Sequence, residues 1–272
     1  MRIRYSFSSR RTRHIGKIRK QRQKYPTLIK KIIEDSDIVL EILDARFPEE
    51  TRNHEIEQEI KKLKKIIIYV LNKSDLTTKI KKFNYLSPNI VVSCKERKGI
   101  RILRNLIKQF SKKISKKEKV IVGIIGYPNT GKSSLINILI GKASAGTGAQ
   151  AGFTRGIQKL KLDENTVLLD SPGVIPEKEY SGVEKEKIAR HTMVGGRSYS
   201  QVKEPEIVIA NLMKEYPKVL EKFYKIKANG DSEVLIEKLG NKKGFMKKGG
   251  KVNEDQTARD ILKDWQDGKI KV

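Results

Sequence analysis

The sequence contains little of several features that restrict a protein's class. It has a single cysteine, Cys94, which excludes an internal disulfide and predicts a cytoplasmic location. No apolar run approaches the roughly 20 residues of a membrane span, and the first residues include no apolar signal core, so we expect no membrane partner. Acidic residues are scarce, 32 against 59 Lys and Arg. The net charge of +27 is typical of proteins that contact nucleic acid, although a generally cationic surface gives the same count.

Residues 1–25, here called the basic arm, contain no acidic residue. Such a segment repels itself until a polyanion neutralises it, so RNA is its expected partner. Tyr5 and Phe7 can stack on unpaired bases or pack on the rest of the protein. The basic residues of the arm are Arg2, Arg4, Arg10, Arg11, Arg13, Lys17, Arg19, Lys20, Arg22 and Lys24.

Glycine is placed where the sequence predicts a phosphate-binding loop. The segment Gly126–Ser133, here called the phosphate loop, lies between the apolar runs 120–125 and 135–140. This order predicts a strand, a turn and a helix whose N-terminus and backbone N–H groups hold phosphates. Lys132 is expected to reach the β- and γ-phosphates, and the Ser133 hydroxyl to bind Mg²⁺. The nucleotide-binding residues predicted here are Gly126, Asn129, Thr130, Gly131, Lys132, Ser133 and Ser134.

A polar segment, Asn72–Asp75, follows the strand predicted at 66–71. Ligands in open α/β sheets bind at the carboxyl ends of strands. Asp75 can accept hydrogen bonds from guanine N1–H and the 2-amino group, Lys73 can cover the base, and Asn72 can bridge the base to the phosphate loop. If this segment stood alone, a polar turn would be the better interpretation.

A third strand, predicted at 90–92, leads into a second segment of this kind. It consists of Ser93, Cys94 and Lys95, and its backbone can donate a hydrogen bond to guanine O6. The two segments together predict guanine recognition.

Two further segments follow the phosphate loop. Residues 143–156 are rich in small residues, and Thr154 is expected to bind Mg²⁺ when a γ-phosphate is present, with Thr147 as the second candidate. A predicted hairpin at 157–169 leads to Asp170, expected to reach Mg²⁺, and to Gly173, expected to contact the γ-phosphate. The catalytic candidates are Lys132, Asn129, Thr154 and Gly173.

These motifs are the parts of a GTPase, but the base-recognition segments precede the phosphate loop. This order resembles the circularly permuted GTPases, specifically the YlqF-like (RbgA-like) ribosome-assembly group. The segment Asp44–Pro48 matches that group's Asp-Ala-Arg-x-Pro, and Gly152-Phe153-Thr154 resembles its Pro-Gly-x-Thr, with Ala151 in place of proline. Cys94 departs from the usual alanine.

The resemblance implies a fold, a partner and an activity. The fold is an α/β permuted P-loop domain with a parallel-rich sheet and one antiparallel edge hairpin, followed by a small all-helical domain. The predicted divisions are the basic arm at 1–25, the GTPase domain at 26–178 and the helical domain at 179–272. We expect a cytoplasmic monomer that hydrolyses GTP to GDP with Mg²⁺, slowly without an activator. It should bind ribosomal RNA or a large-subunit precursor, and its helical domain should transmit the nucleotide state.

Two alternatives to this function remain open from the sequence alone. One is an RNA-binding scaffold in which GTP is structural. The other, less favoured because no further nucleophile or metal cluster is evident, is a nucleotide-metabolising or RNA-modifying enzyme.

The group that activates water is not evident from the sequence. Val174 and Ile175 stand where many GTPases carry a glutamine, and neither can orient water. The chain is similar here to hydrophobic-substituted GTPases, some of which hold a potassium ion partly by an asparagine of the phosphate loop. Asn129 occupies that position, and its other interpretation is that it only shapes the loop. His14, His54 and His191 are interpreted as surface residues, with no catalytic role assigned to His14.

Overall fold

The computed structural model describes residues 27–77, 85–114, 118–141, 158–171 and 185–272. The basic arm, Thr147, Thr154, Gly173 and the predicted domain boundary at 178 all lie outside the described residues, so the expectations for them stay predictions.

The described strands form one six-stranded sheet in the order β3-β2-β1-β4-β6-β5. All neighbouring strands are parallel except β5, which pairs antiparallel with β6 at the edge. This confirms the predicted parallel-rich sheet with one edge hairpin. The strands are β1 (Ile38–Asp44), β2 (Ile66–Asn72), β3 (Asn89–Val91), β4 (Val120–Gly126), β5 (Gln158–Lys161) and β6 (Thr166–Asp170).

Helices cover both faces of the sheet. On one face, Leu103 of α4 and Leu135 of α5 pack on the even-numbered residues of β1, such as Leu40. On the other face, Ile32 of α1 and Ile60 of α3 belong to a separate apolar cluster. Because both faces are covered, all seven residues of β1 are buried, as is usual for parallel strands. The helices of this part are α1 (residues 27–35), α2 (Pro48–Thr51), α3 (His54–Lys62), α4 (Ile100–Lys113) and α5 (Lys132–Ile140), with a 3₁₀ turn at Ser74–Leu76.

The remaining described residues are helical, as predicted. Pro205 and Pro217 stand in the first turns of two helices, where the missing N–H is not needed. Asp231 caps another by accepting from two backbone N–H groups. The helices are α6 (Lys185–Met193), α7 (Pro205–Glu215), α8 (Pro217–Tyr224), α9 (Ser232–Lys243) and α10 (Glu254–Gln266), with a 3₁₀ turn at Tyr199–Gln201. In the described residues, no helix is long and apolar enough to cross a membrane.

The helical part packs directly on the sheet-containing part. Phe47 and Tyr127 belong to the same apolar cluster as Leu212, Ile261 and the fully buried Trp265. One side chain of the phosphate loop and one of the Asp44–Pro48 segment therefore complete the core of the helical part.

Candidate nucleotide-binding site

The sheet register brings the predicted site residues to one edge. Asp44 pairs with Asn72, Ile42 with Gly126, and Ile124 with Asp170. The carboxyl ends of β1, β2, β4 and β6 therefore lie side by side, where ligands of open α/β sheets bind.

The phosphate loop is shaped by two glycines at its ends. Gly126 has φ +149°, and a Cβ there would lie 2.4 Å from the Ile42 carbonyl oxygen. Gly131 has φ +93°, and a Cβ there would lie 2.3 Å from Asn72 Nδ2. Between them, the buried Thr130 donates its hydroxyl to the Tyr127 carbonyl at 2.9 Å. The loop then enters α5, whose first turn contains Lys132, Ser133 and Ser134.

Lys132 turns back over the loop that precedes it. Its Nζ donates to the carbonyls of Gly126 at 3.1 Å and Tyr127 at 2.8 Å. Burial lowers the pKa of Lys132 to about 8, although the Asp170 carboxylate opposes that shift. A buried ammonium whose hydrogen bonds go to neutral carbonyls, as in the described residues, is a suitable partner for a phosphate group.

Asn72 connects the two halves of the site. Its side chain donates to the Thr130 carbonyl at 2.8 Å and accepts from the Cys94 N–H at 3.2 Å. One nearly inaccessible side chain, 1% exposed, thus joins the Ser93–Lys95 segment to the phosphate loop.

The other base-site residues lie around this bridge. Asp75 stands in the 3₁₀ turn after β2 and accepts from the Ser93 hydroxyl at 2.7 Å. Burial raises the pKa of Cys94 to about 11, so its thiol stays neutral at physiological pH, and Lys95 is exposed. Of the three backbone N–H groups proposed for guanine O6, that of Cys94 already has Asn72 as its acceptor.

An ion-pair cluster at the end of β1 was not foreseen from the sequence. The fully buried Asp44 pairs with Arg46 at 2.8 Å and with Lys73 at 2.9 Å. The Asp-Ala-Arg segment was recognised as a motif, but its letters do not show that Lys73 is the third member. Strand adjacency was the available signal, since Asp44 and the residue before Lys73 end neighbouring parallel strands.

The helical part contacts the phosphate loop through the end of α6. The Tyr127 hydroxyl lies 2.6 Å from His191 Nδ1, and Asn129 Nδ2 donates to the Gly195 carbonyl at 2.9 Å. The interpretation of His191 as a surface residue is therefore wrong: its ring is half-buried against Tyr127, because α6 packs on the loop. His54 is exposed, with 62% of its side chain accessible.

The helical part also contacts Leu76, next to the polar segment Asn72–Asp75. Gly268 lies so close to Leu76 that a Cβ on the glycine would be 2.7 Å from the leucine side chain. The Val272 N–H donates to the Leu76 carbonyl at 2.8 Å. Leu76 directly follows Asp75, so residues beyond α10 lie against the turn that holds the predicted guanine acceptor.

The donor atoms at the site fit Mg²⁺ bound together with phosphates. Ser133 begins α5, and the buried Asp170 ends β6 close enough to influence the charge of Lys132. Within the described residues, no group of three or more His, Cys, Asp or Glu side chains can hold a metal by itself. One or two protein oxygens that share the ion with a nucleotide's phosphates are typical of Mg²⁺.

Comparison with known proteins agrees with this geometry. The profile of the family described as "50S ribosome-binding GTPase" matches residues 121–237. An uncharacterized GTP-binding protein of Methanocaldococcus jannaschii is 39% identical over 251 residues, 89% of this chain and 65% of that protein. Nucleolar GTP-binding protein 2 of Saccharomyces cerevisiae is 35% identical over 251 residues, 88% of this chain and 51% of that protein. The chain thus spans about half to two thirds of the length of these relatives.

A solved structure shares the fold. GNP-bound YlqF from T. maritima superimposes with a TM-score of 0.62 over 90% of this chain and 94% of that one, at 22% identity. Its GDP-bound form gives a TM-score of 0.61. With β1, β2 and β3 before the phosphate loop in sequence and in the same sheet as the strand that leads into it, the chain has the circularly permuted, YlqF-like P-loop GTPase fold.

Proposed function

We propose that this protein binds and hydrolyses GTP and acts in the assembly of the large ribosomal subunit. The observation that carries the GTP-binding part of this proposal is the Asn72 bridge. Asn72 joins Thr130 of the phosphate loop to Cys94 of the Ser93–Lys95 segment. It joins the two halves of the proposed nucleotide site through two hydrogen bonds. The ribosomal half is supported by the description of the matching family and by the net charge of +27.

In this proposal each predicted residue has a defined role. Asp75, held by Ser93, accepts from the guanine base, while the phosphate-loop backbone and Lys132 hold the phosphates. Ser133, Asp170 and Thr154 are the side chains that would hold Mg²⁺, and the Gly173 N–H would contact the γ-phosphate. Bound Mg²⁺ would neutralise charge between the β- and γ-phosphates.

Hydrolysis is proposed to be slow without an activator and stimulated by potassium. The Asn129 amide nitrogen donates to Gly195, so its side-chain carbonyl oxygen is the atom that would face a cation. A monovalent cation there would stabilise charge developing in the transition state. Equal hydrolysis rates in potassium and sodium chloride, at the same ionic strength, would contradict this role.

The proposed partner is ribosomal RNA in a large-subunit precursor, bound by a cytoplasmic monomer. The basic arm supplies one cationic surface. A second is the exposed group Lys247, Lys248 and Lys251. Two lysines that precede this group in the sequence make contacts within the helical part. Lys242 donates to the Tyr224 carbonyl, and Lys243 pairs with Asp260.

Nucleotide state is proposed to alter particle binding through the helical part. Its contacts with Tyr127, Asn129 and Leu76 support this route, because a movement at either end of the site changes them.

Co-sedimentation with large-subunit precursors tests the proposal. The full chain would be mixed with particles in GTP, in GDP or in a non-hydrolysable GTP analogue. We expect about tenfold tighter binding with GTP or the analogue than with GDP, which corresponds to about 1.4 kcal/mol. Binding that is equal in all three states, together with no turnover of GTP when particles are added, would exclude the proposed function.

A further inference from the structure

The ion-pair cluster at the end of β1 has a geometry that reaches the base site. Asp44 Oδ2 lies 2.8 Å from Arg46 Nη2 and 2.9 Å from Lys73 Nζ. Arg46 Nε also donates to Asp44 Oδ1 at 3.0 Å, so the guanidinium grips the carboxylate with two nitrogens. The accessible fraction of the side chain is 0% for Asp44, 2% for Arg46 and 21% for Lys73.

The charges of the three side chains favour the arrangement that is observed. Burial alone would raise the pKa of Asp44, but the cations of Lys73 and Arg46 hold it well below its usual range. The carboxylate is therefore ionised and has two cations to satisfy. Two hydrogen bonds from Arg46 fix the plane of the carboxylate. A second cation can then bind only from a direction that Arg46 leaves open, and Lys73 binds there.

Lys73 is the member that needs to be held. Its backbone has φ 63°, a left-handed conformation that directs the side chain away from the path of a continued strand. A lysine stem has four rotatable bonds and, without a partner, samples many rotamers. With Nζ fixed on Asp44, the stem has a defined position beside Asn72 and Asp75, the two residues proposed to define the base site.

The helical part fixes the far side of the cluster. Arg46 Nη1 donates to the Trp265 carbonyl at 3.4 Å, and the guanidinium carbon lies 5.7 Å from the Trp265 ring and 5.2 Å from the Phe47 ring. Arg46 is thus held between Asp44 and the end of α10. The chain of contacts runs from Trp265 through Arg46 and Asp44 to Lys73.

We propose that Asp44 and Arg46 are positioning residues for guanine-nucleotide binding, which hold the Lys73 stem where it covers the base. The inference rests on the proposed function, because it requires a guanine nucleotide in this site. In this role the Asp-Ala-Arg segment contacts neither the phosphates nor Mg²⁺. Asp44 and Arg46 act on the nucleotide only through Lys73.

A double-mutant cycle tests this dependence. GDP affinity of the full chain is measured by titration calorimetry for wild type, Asp44→Asn, Lys73→Met and the double variant. We expect Lys73→Met and Asp44→Asn each to weaken GDP binding by about tenfold. The double variant should be no weaker than Lys73→Met alone, since Asp44 has no effect once Lys73 cannot be held. Losses that multiply in the double variant would overturn the inference.

Inosine diphosphate separates this role from that of Asp75. It lacks the 2-amino group but keeps the ring face, so Asp44→Asn should weaken GDP and inosine diphosphate by the same factor. Asp75→Asn should weaken GDP more than inosine diphosphate. A loss in Asp44→Asn that is confined to GDP would contradict a covering role for Lys73.

If Asp44→Asn does not fold, Arg46→Lys replaces it as the test. This variant keeps the positive charge but removes the pair of hydrogen bonds that Arg46 donates to Asp44. Its matched control is Arg52→Lys, which breaks a similar pair in which Arg52 Nε lies 2.7 Å from Glu57 Oε1. Both variants should lower the unfolding temperature, but only Arg46→Lys should weaken GDP binding several-fold. Equal GDP affinities in the two variants would overturn the inference. If wild type itself does not bind GDP, the proposed function fails as well, whereas multiplicative losses in a protein that binds GDP leave that function intact.

Discussion

Lys132 is a residue of the site whose charge changes near physiological pH. Its pKa of about 8 lies below the ordinary 10.5 because burial disfavours the ammonium. A bound phosphate restores a partner for that charge, so the pKa must be higher in the complex than in the free protein. Between these two pKa values, binding takes up a proton.

The first prediction follows from this linkage. GDP affinity should be constant below about pH 7.5 and should fall as pH rises above 8, by at most about tenfold per pH unit. Calorimetry at about pH 8.5 in buffers of different ionisation enthalpy should detect the proton taken up. Lys132→Met should bind GDP far more weakly and show neither effect. A wild-type affinity that stays flat to about pH 10 would contradict the buried ammonium.

The second prediction concerns Asp75. Asp75→Asn should weaken GTP binding and improve xanthosine triphosphate binding, because an amide N–H can donate to the 2-oxo group. Sites built on such hydrogen bonds discriminate by roughly 10⁴ to 10⁵. Ser93→Ala is the comparison variant: it removes the 2.7 Å support of Asp75, together with the acceptor of the Glu96 N–H at 3.0 Å, and should cost about 1 kcal/mol of GTP binding without changing the base preference. Unchanged GTP affinity in Asp75→Asn would remove that carboxylate from the base site.

At the scale of elements, α6 is placed against the phosphate loop by a tyrosine–histidine contact. Burial, and then the nearby Arg197, lower the pKa of His191 from 6.5. Between the lowered value and 6.5 the unfolded chain binds more protons than the folded one. The contribution of neutral His191 to stability is therefore complete above pH 6.5 and is lost progressively as pH falls below it.

The third prediction tests this element contact. On going from about pH 7.5 to about pH 5.5, the unfolding temperature should fall less in His191→Gln than in wild type. If wild type and His191→Gln respond to pH alike, the α6 contact does not titrate.

The elements themselves were largely predictable from sequence, but their packing was not. An apolar stripe such as Ile261, Leu262 and Trp265 shows that a helix has a buried face, and glycines and prolines mark its ends. The stripe does not identify what covers it. That α10 would pack over Phe47, and α6 over Tyr127, depends on long-range contacts that local periodicity does not encode.

The site divides in the same way. That the phosphate loop and the Asn72–Asp75 segment lie at one edge of the sheet was predictable, because each directly follows a strand. Lys73 was predicted as a base cover, but its ion pair with Asp44 depends on which strands are neighbours. His191 was misread because one histidine in a polar helical pattern carries no signal of its partner.

For the whole molecule, the basic arm should add affinity that does not depend on nucleotide. The fourth prediction is that deletion of residues 1–25 weakens binding to ribosomal particles in both GTP and GDP and leaves their ratio nearly unchanged. The slope of log affinity against log salt should become shallower, since fewer counterions are released. Measurements at several salt concentrations would check this, and a selective loss of GTP-state binding would contradict it.

The contact between Leu76 and residues 268–272 has a consequence for biosynthesis. A ribosome makes the Asn72–Asp75 segment first, the phosphate loop next and the residues that lie against Leu76 after both. Domains fold as they emerge, so the sheet can form while its neighbour at the base end is still untranslated. A chain that stops before residue 268 has both nucleotide motifs but lacks this contact. This contact can therefore form only after residue 272 has been translated.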